Sequence, residues 1–314
     1  MTESLRTFMS GLIDYAGLYP PAKLPMQPAS EAFARGLMSE HQWMLGRFIC
    51  PTSRLREFSK AAAVMMPGTH ATSGYREHAA AEPWRLSVII DGDLAADLAT
   101  IAAFNQHHER EDNGRAAADA LELKVLRPDQ IDAAIDLIPD DYYPFFEFPA
   151  EVVSGGDCRG FVAALAGHGA AAKIRTGGIT PDSFPSTRAI AEFMVACAGA
   201  EVPFKATAGL HHPIRAEYPL TYEPGCPRGV MHGFLNVFIA AALVFGDHVD
   251  AGRAAAVLED RNAANFHFTD EGVRWNSLFV EVMQIARARE VFCLSYGSCS
   301  FDEPWQDLAR LGLL

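Results

Sequence analysis

Residues 171–208 run AAKIRTGGITPDSFPSTRAIAEFMVACAGAEVPFKATA. Ala171 to Arg175 has strand composition and stops at Gly177-Gly178, Ser186 stands where a helix through Ala198 needs its cap, and Pro203 to Ala208 is a second strand. Two strands joined by a helical crossover lie parallel in one sheet. The same alternation extends in both directions along the chain. Upstream, strands are expected at Leu12 to Tyr19, Arg47 to Cys50, Arg85 to Ile90, Ala120 to Leu126 and Tyr143 to Phe148. Helices are expected at Ser30 to Met44, Ser53 to Met66, Asp93 to Glu109, Asp129 to Ile138 and Asp157 to Gly167. Downstream, Val291 to Tyr296 supplies an eighth strand, and Asp302-Glu303-Pro304 opens a last helix. Eight strands alternating with helices predict an α/β protein, a closed (β/α)8 TIM barrel, rather than an open doubly wound sheet. No G-x-G-x-x-G follows the first strand and no P-loop occurs, so no dinucleotide cofactor is implied.

The chain has 314 residues, 26 Lys plus Arg against 39 Asp plus Glu, and a formal charge of −13. That balance argues against a nucleic-acid partner, which demands a basic surface. A hydrophobic content of 49% suits a protein with a large core. With no linker or repeat in view, residues 1–314 read as a single barrel domain. Its one departure is the 78-residue segment Pro213 to Glu290 between strands seven and eight, too long for a plain crossover. This insertion holds a Pro-rich loop (Ile214 to Arg228), an apolar helix (Val230 to Phe245) and a hairpin around Asp270-Glu271-Gly272, and is expected to form a lid or a contact in a homo-oligomer. The apolar run Phe234 to Phe245, interrupted by Asn236, is too short for a bilayer. No secretory signal is expected from MTESLRTFMSGLIDYAG. The cysteines at 50, 158, 197, 226, 293 and 299 form no CxxC pair, which suits a reducing cytoplasm.

Strand alternation then assigns faces. If Lys173 points into the barrel, so does Arg175, and likewise Lys205 with Thr207, Glu122 with Lys124, and Glu147 with Phe145. Barrel interiors are ordinarily filled with Val, Ile and Leu, and a charge there must be paired. Charged residues on four neighbouring strands therefore mark a functional site, unless some of these strands have the opposite phase or the charges form purely structural ion pairs.

Lys173-Ile174-Arg175-Thr176-Gly177-Gly178 followed by Lys205-Ala206-Thr207-Ala208-Gly209 resembles the paired lysine strands of Schiff-base aldolase barrels of the deoxyribose-phosphate aldolase group. The resemblance covers strands six and seven. It implies that the first lysine forms an imine with a carbonyl substrate and that the second tunes it. Two positions depart from that pattern. Lys124 occupies the fourth-strand position where the family carries an acidic residue, with Glu122 two residues earlier, and Gly209-Leu210-His211-His212-Pro213 replaces the family's Gly-Gly phosphate loop.

An amine attacks a carbonyl only when neutral, and bringing a lysine from about 10.4 to 7 takes roughly 4 to 5 kcal/mol of differential interaction. Burial and a second ammonium push that way, while a nearby carboxylate pushes back. The expectation is a lyase in small-molecule metabolism acting on a small anionic carbonyl compound. Lys173 is its nucleophile, Lys205 the tuning cation and Glu147 the acid and base, with Glu147 nearer Lys205 than Lys173 if one amine is to lose its proton. Lys124, Arg175, Thr176, Thr207, His211, His212 and Asp14, with Ser298 and Ser300 in the turn before the last helix, complete the expected substrate contacts. Two other readings stand beside it: a metal-dependent hydrolase or isomerase using His211, His212 and Glu147, although no metal-ligand spacing is present, and a non-catalytic barrel that binds a metabolite. His232 and Asn236, one helical turn apart, can lie over the site or pack on the barrel top.

Overall fold

A computed structural model describes residues 1–68 and 82–314. Its central feature is a closed barrel of parallel strands: β1 (Ile13–Tyr15), β2 (Leu45–Pro51), β3 (Trp84–Ile89), β4 (Ala116–Lys124), β5 (Tyr143–Glu147), β6 (Ala171–Arg175) and β7 (Phe204–Thr207), completed by the last strand of the chain, Cys293–Ser298. That last strand lies between β7 and β1, and β1 closes onto β2. The chain is thus a (β/α)8 TIM barrel.

Between β7 and the closing strand lie the antiparallel pair β8 (Ala216–Pro219) and β9 (Arg228–Met231) and the three-stranded sheet β10 (Phe266–Phe268), β11 (Gly272–Trp275) and β12 (Leu278–Glu281). The closing strand is therefore β13.

Packing fixes the phase of every barrel strand. Tyr15, Phe48, Leu86, Val88, Leu121, Leu123, Phe146, Ile174, Phe204 and Tyr296 face the helices and join the main core. Their neighbours face the barrel axis, and at its lower end Ala120, Phe145 and Ala171 form a small separate cluster. The alternation argument therefore holds for β4 to β7: Glu122, Glu147, Lys173 and Lys205 are buried within the barrel.

Several element boundaries differ from expectation for local reasons. A helix not expected from the sequence, Glu3–Met9, precedes β1; the second helix starts earlier than expected, at Met26–Leu37, because Pro25 occupies its cap without a side-chain hydrogen bond, so no Ser, Thr, Asp or Asn announced it. The third is shorter, Leu55–Ala62, and Ser53 does not cap it but bonds the Asp91 carboxylate at the end of β3. The segment after β5 splits into Ala150–Ser154 and Arg159–Leu165 around Gly155-Gly156, where Gly156 takes a positive φ of 75°.

The largest correction concerns the insertion. Its apolar helix is Phe234–Asp247, with eleven residues from Phe234 to Val244 buried. It packs against helices Thr187–Gly199, Ala251–Glu259 and Val282–Val291 and against β12 and β13. Packed in this way, it takes the place of the crossover helix of the last unit. It begins after Gly233, since Val230 belongs to β9. His232 and Asn236 follow suit: His232 Nε2 bonds Pro185 O at 2.9 Å, and Asn236 bonds Arg215 N, Val257 O and Asp260 O. Both hold loops to the barrel rather than facing a site. The hairpin at Asp270-Glu271-Gly272 is present as β10–β11.

Candidate functional site

Neighbouring strands in a parallel sheet bring residues of equal phase side by side, and the register pairs Lys124 with Glu147, Glu147 with Lys173, and Lys173 with Lys205. Their side chains meet in a continuous ion-pair network at the C-terminal half of the barrel. Lys173 Nζ lies 2.6 Å from Glu147 Oε2 and 2.7 Å from Glu122 Oε2. Lys205 Nζ lies 2.6 Å from Asp14 Oδ2 and 2.7 Å from Glu122 Oε1, with the Phe145 ring 4.9 Å away. Glu122 thus bridges the two lysines. Hydroxyls complete the shell: Ser87 Oγ donates to Glu122 at 2.7 Å and Ser295 Oγ to Asp14 at 2.7 Å. Arg175 approaches the outer oxygen of Glu147 at 3.5 Å. Three carboxylates therefore face three cations, which is the condition for burying such groups at all.

The network sets the charge states. Burial by itself would raise the Glu122 carboxyl, but the ammonium groups of Lys173 and Lys205 override it and hold Glu122 far below the usual carboxylate range. Burial disfavours the charged form of Lys173 too, yet Glu122 and Glu147 hold its pKa above the ordinary lysine value. Glu147 is lowered against its own burial by Lys173, then by Arg175 and Lys124. At rest Lys173 is a cation. Glu147 sits beside Lys173, not Lys205, which corrects the expected arrangement in which Glu147 was to hold Lys205 charged.

Above the network is a cavity of about 250 Å³, lined by Lys173, Glu147, Glu122, Lys124, Arg175, Thr207 and His211, with Ile49, Ile89 and Cys299 among its other walls. Lys205, 0% exposed, does not reach it. Neither does Asp14, whose Oδ1 accepts from the Arg47 backbone N–H at 2.8 Å while Oδ2 takes Lys205. The two lysines, equivalent in the sequence, are thus separated in depth.

Four other expected contacts are spent on structure. Thr176 Oγ1 donates to Ala208 O at 2.7 Å and Thr207 O at 3.2 Å, tying β6 to β7 where Ala208 takes a left-handed φ of 63°. His212 turns away, with Nδ1 2.6 Å from Asp307 Oδ2 and its ring stacked on Tyr218. Ser298 Oγ donates to Ser300 O, and Ser300 Oγ accepts from Glu303 N at the start of the last helix. None of these four lines the cavity.

His211 and Cys299 form a pair that sequence reasoning missed. Cys299 Sγ is 3.8 Å from His211 Nδ1 and 3.6 Å from the Tyr222 hydroxyl, which donates to Glu303 Oε2 at 2.9 Å. Cys299 follows β13, His211 lies in the loop after β7, Tyr222 precedes β9 and Glu303 is in the last helix, and no spacing in the chain links them. Burial pushes the Cys299 thiol up to about 11, so it is not an activated nucleophile.

Glu122 was assigned the right face by alternation but given no role. The signal available was its position two residues before Lys124, in the strand where the resembled family carries its acid.

The metal alternative finds no convergent ligands. His211 and His212 face different partners, Glu147 is held by Lys173, and among the described residues no group of three or more His, Cys, Asp or Glu side chains is placed to hold a metal ion. Among the same residues no helix is long and apolar enough to cross a membrane.

Fold and cavity together define the class: a (β/α)8 barrel whose C-terminal mouth opens onto a buried lysine–carboxylate network. Comparison of the chain with protein-family models, curated proteins and solved structures found no significant match.

Proposed function

We propose that the protein is a carbon–carbon lyase of the imine-forming type, acting on a small anionic carbonyl compound through Lys173. The observation that carries this reading is that Lys173 and its partner Glu147 both wall the cavity while Lys205 lies beneath it. One amine meets the substrate and the other supplies a fixed positive charge from below.

The resting ion pair requires that substrate itself free the amine. Lys124 and Arg175 stand at the rim of the cavity, and the Arg175 side chain is 42% exposed. An anionic group bound there draws Arg175 from Glu147 and sets a negative charge beside it, which raises the proton affinity of Glu147. Glu147 then takes the proton from Lys173 across 2.6 Å. The neutral amine attacks the carbonyl carbon, and the carbonyl π pair moves to oxygen, which is protonated through Glu147. The Glu147 carboxylate then takes a proton from the new C–N ammonium and delivers it to that hydroxyl, which leaves as water while the nitrogen lone pair closes the iminium, and the carboxylate is restored. The Glu147 carboxylate then takes the β-hydroxyl proton, the O–H bond pair becomes the new carbonyl, and the carbon–carbon bond pair flows into the iminium, producing an enamine and a released carbonyl compound. Such a substrate needs no dissociable cofactor, and the six free thiols suit a reducing compartment such as the cytoplasm.

Borohydride trapping with pyruvate and a panel of other 2-oxo acids, followed by peptide mass analysis, tests the proposal. The expected result is a reduced adduct on Lys173 that disappears in Lys173→Arg. No adduct on either Lys173 or Lys205 overturns it. The double pairing of Lys173 favours one alternative, a non-catalytic metabolite-binding barrel, which predicts melting shifts with the same acids and no adduct.

A further inference from the structure

Among the described residues His211 is the one histidine that walls the cavity, and it also lines a second, outer cavity shared with Pro21, Tyr222 and Glu303. Its ring is therefore the partition between the lysine chamber and a more open one. The residue is 7% exposed. Nδ1 faces Glu303 Oε2 at 3.6 Å and Cys299 Sγ at 3.8 Å, whereas Nε2 has no hydrogen-bond partner among the described residues. A buried imidazole with one nitrogen turned to a carboxylate and the other left bare has the geometry of an oriented base. Burial, and after it the neighbouring His212, pushes His211 down to about 4, so the ring is neutral and one nitrogen can accept.

We infer that His211 is a catalytic residue, the base that moves protons at the carbon next to the imine, and this rests on the lyase reading given above. With an iminium on Lys173, His211 Nε2 takes a proton from the adjacent carbon. The C–H bond pair becomes the enamine double bond and the iminium π pair returns to nitrogen. The imidazolium so formed faces Glu303, a positioning residue whose carboxylate stabilises the charge and opens onto the outer cavity, so the proton exchanges with solvent there. Tyr222, donating to Glu303, fixes that carboxylate.

The test uses pyruvate in deuterium oxide with the full-length protein, reading methyl hydrogen exchange by proton NMR beside borohydride trapping. In His211→Asn exchange is expected to fall about a hundredfold or more while trapping on Lys173 persists. Glu303→Gln, whose backbone cap is unchanged, is expected to slow exchange about tenfold with trapping intact, which a purely structural role would not do. Independently, nitrogen-15 spectra of histidine-labelled protein should show His211 as the Nδ1–H tautomer. Exchange retained in His211→Asn, exchange absent from native protein that traps pyruvate, or a dominant Nε2–H tautomer each overturns the assignment of His211 while leaving Lys173 in place. Failure of trapping in the native protein removes the lyase reading, and this inference with it.

Discussion

At the scale of single residues, Glu122 holds the site together. It accepts from Ser87 and pairs with both lysines, so its removal leaves two buried ammonium groups short of a counter-charge. Breaking such a pair costs about 3–5 kcal/mol. The direction of its shift also fixes a pH dependence. A carboxyl depressed in the folded state contributes stability that is present above its unfolded pKa, about 4.3, and is lost as pH falls below it. Lys173, raised in the folded state, contributes stability that is present below about 10.4 and lost as pH rises beyond it. Urea midpoints measured across pH should therefore fall on the acid side of about 4.3, and Glu122→Gln should lower the neutral-pH midpoint and flatten the acid slope. An unchanged acid slope in that variant would refute the assignment of the network as its source.

At the scale of elements, the helix Phe234–Asp247 decides how the insertion is understood. A helix apolar on all sides can be a lid, a subunit contact or a core member, and composition alone does not separate these. The packing does: the Phe238 ring lies 5.8 Å from Tyr296, 6.3 Å from Phe204 and 6.5 Å from Phe8, with the Arg289 guanidinium 5.7 Å from its centre. Phe238→Ala should cost about 3–5 kcal/mol in chemical denaturation and leave the sedimentation mass unchanged. A change of oligomeric state without loss of stability would contradict the crossover role. The glycines at the strand ends work at the same scale. A side-chain carbon on Gly209, whose φ is 74°, would come 3.0 Å from Gly177 Cα and 2.9 Å from the Phe184 ring, so these small residues let the ends of β6 and β7 close above the network.

At the scale of the whole molecule, the two mouths of the barrel are built differently. At the lower end Arg289, on the helix Val282–Val291, donates to Phe8 O at 2.9 Å, to Ser10 O at 3.1 Å and to the carbonyls of Cys293 and Leu294, binding that helix to the end of the helix Glu3–Met9 and to the start of β13. Arg289→Met strands those carbonyls and should lower stability by about 3 kcal/mol, with Arg289→Lys recovering part of it. Equal stability of all three proteins in guanidinium titrations would disprove the role.

Local periods of hydrophobicity and the turn residues beside them were enough to read the barrel from the chain and, with Lys173 taken to point inward, the charges that β4 to β7 carry inside. The sequence also singled out Lys173, Lys205 and Glu147. Folding was needed to show which carboxylate meets which amine, that Lys205 is sealed beneath the cavity, that Thr176, His212, Ser298 and Ser300 serve the backbone and helix ends, and that His211, Cys299, Tyr222 and Glu303 come together. Asp14 reaches Lys205 across 191 positions of chain, because closing the barrel sets β1 beside β13, next to β7. Periodicity is a property of neighbours along the chain and is written in the sequence. Contact between distant strands depends on closure and shear of the whole sheet, and no local pattern records it.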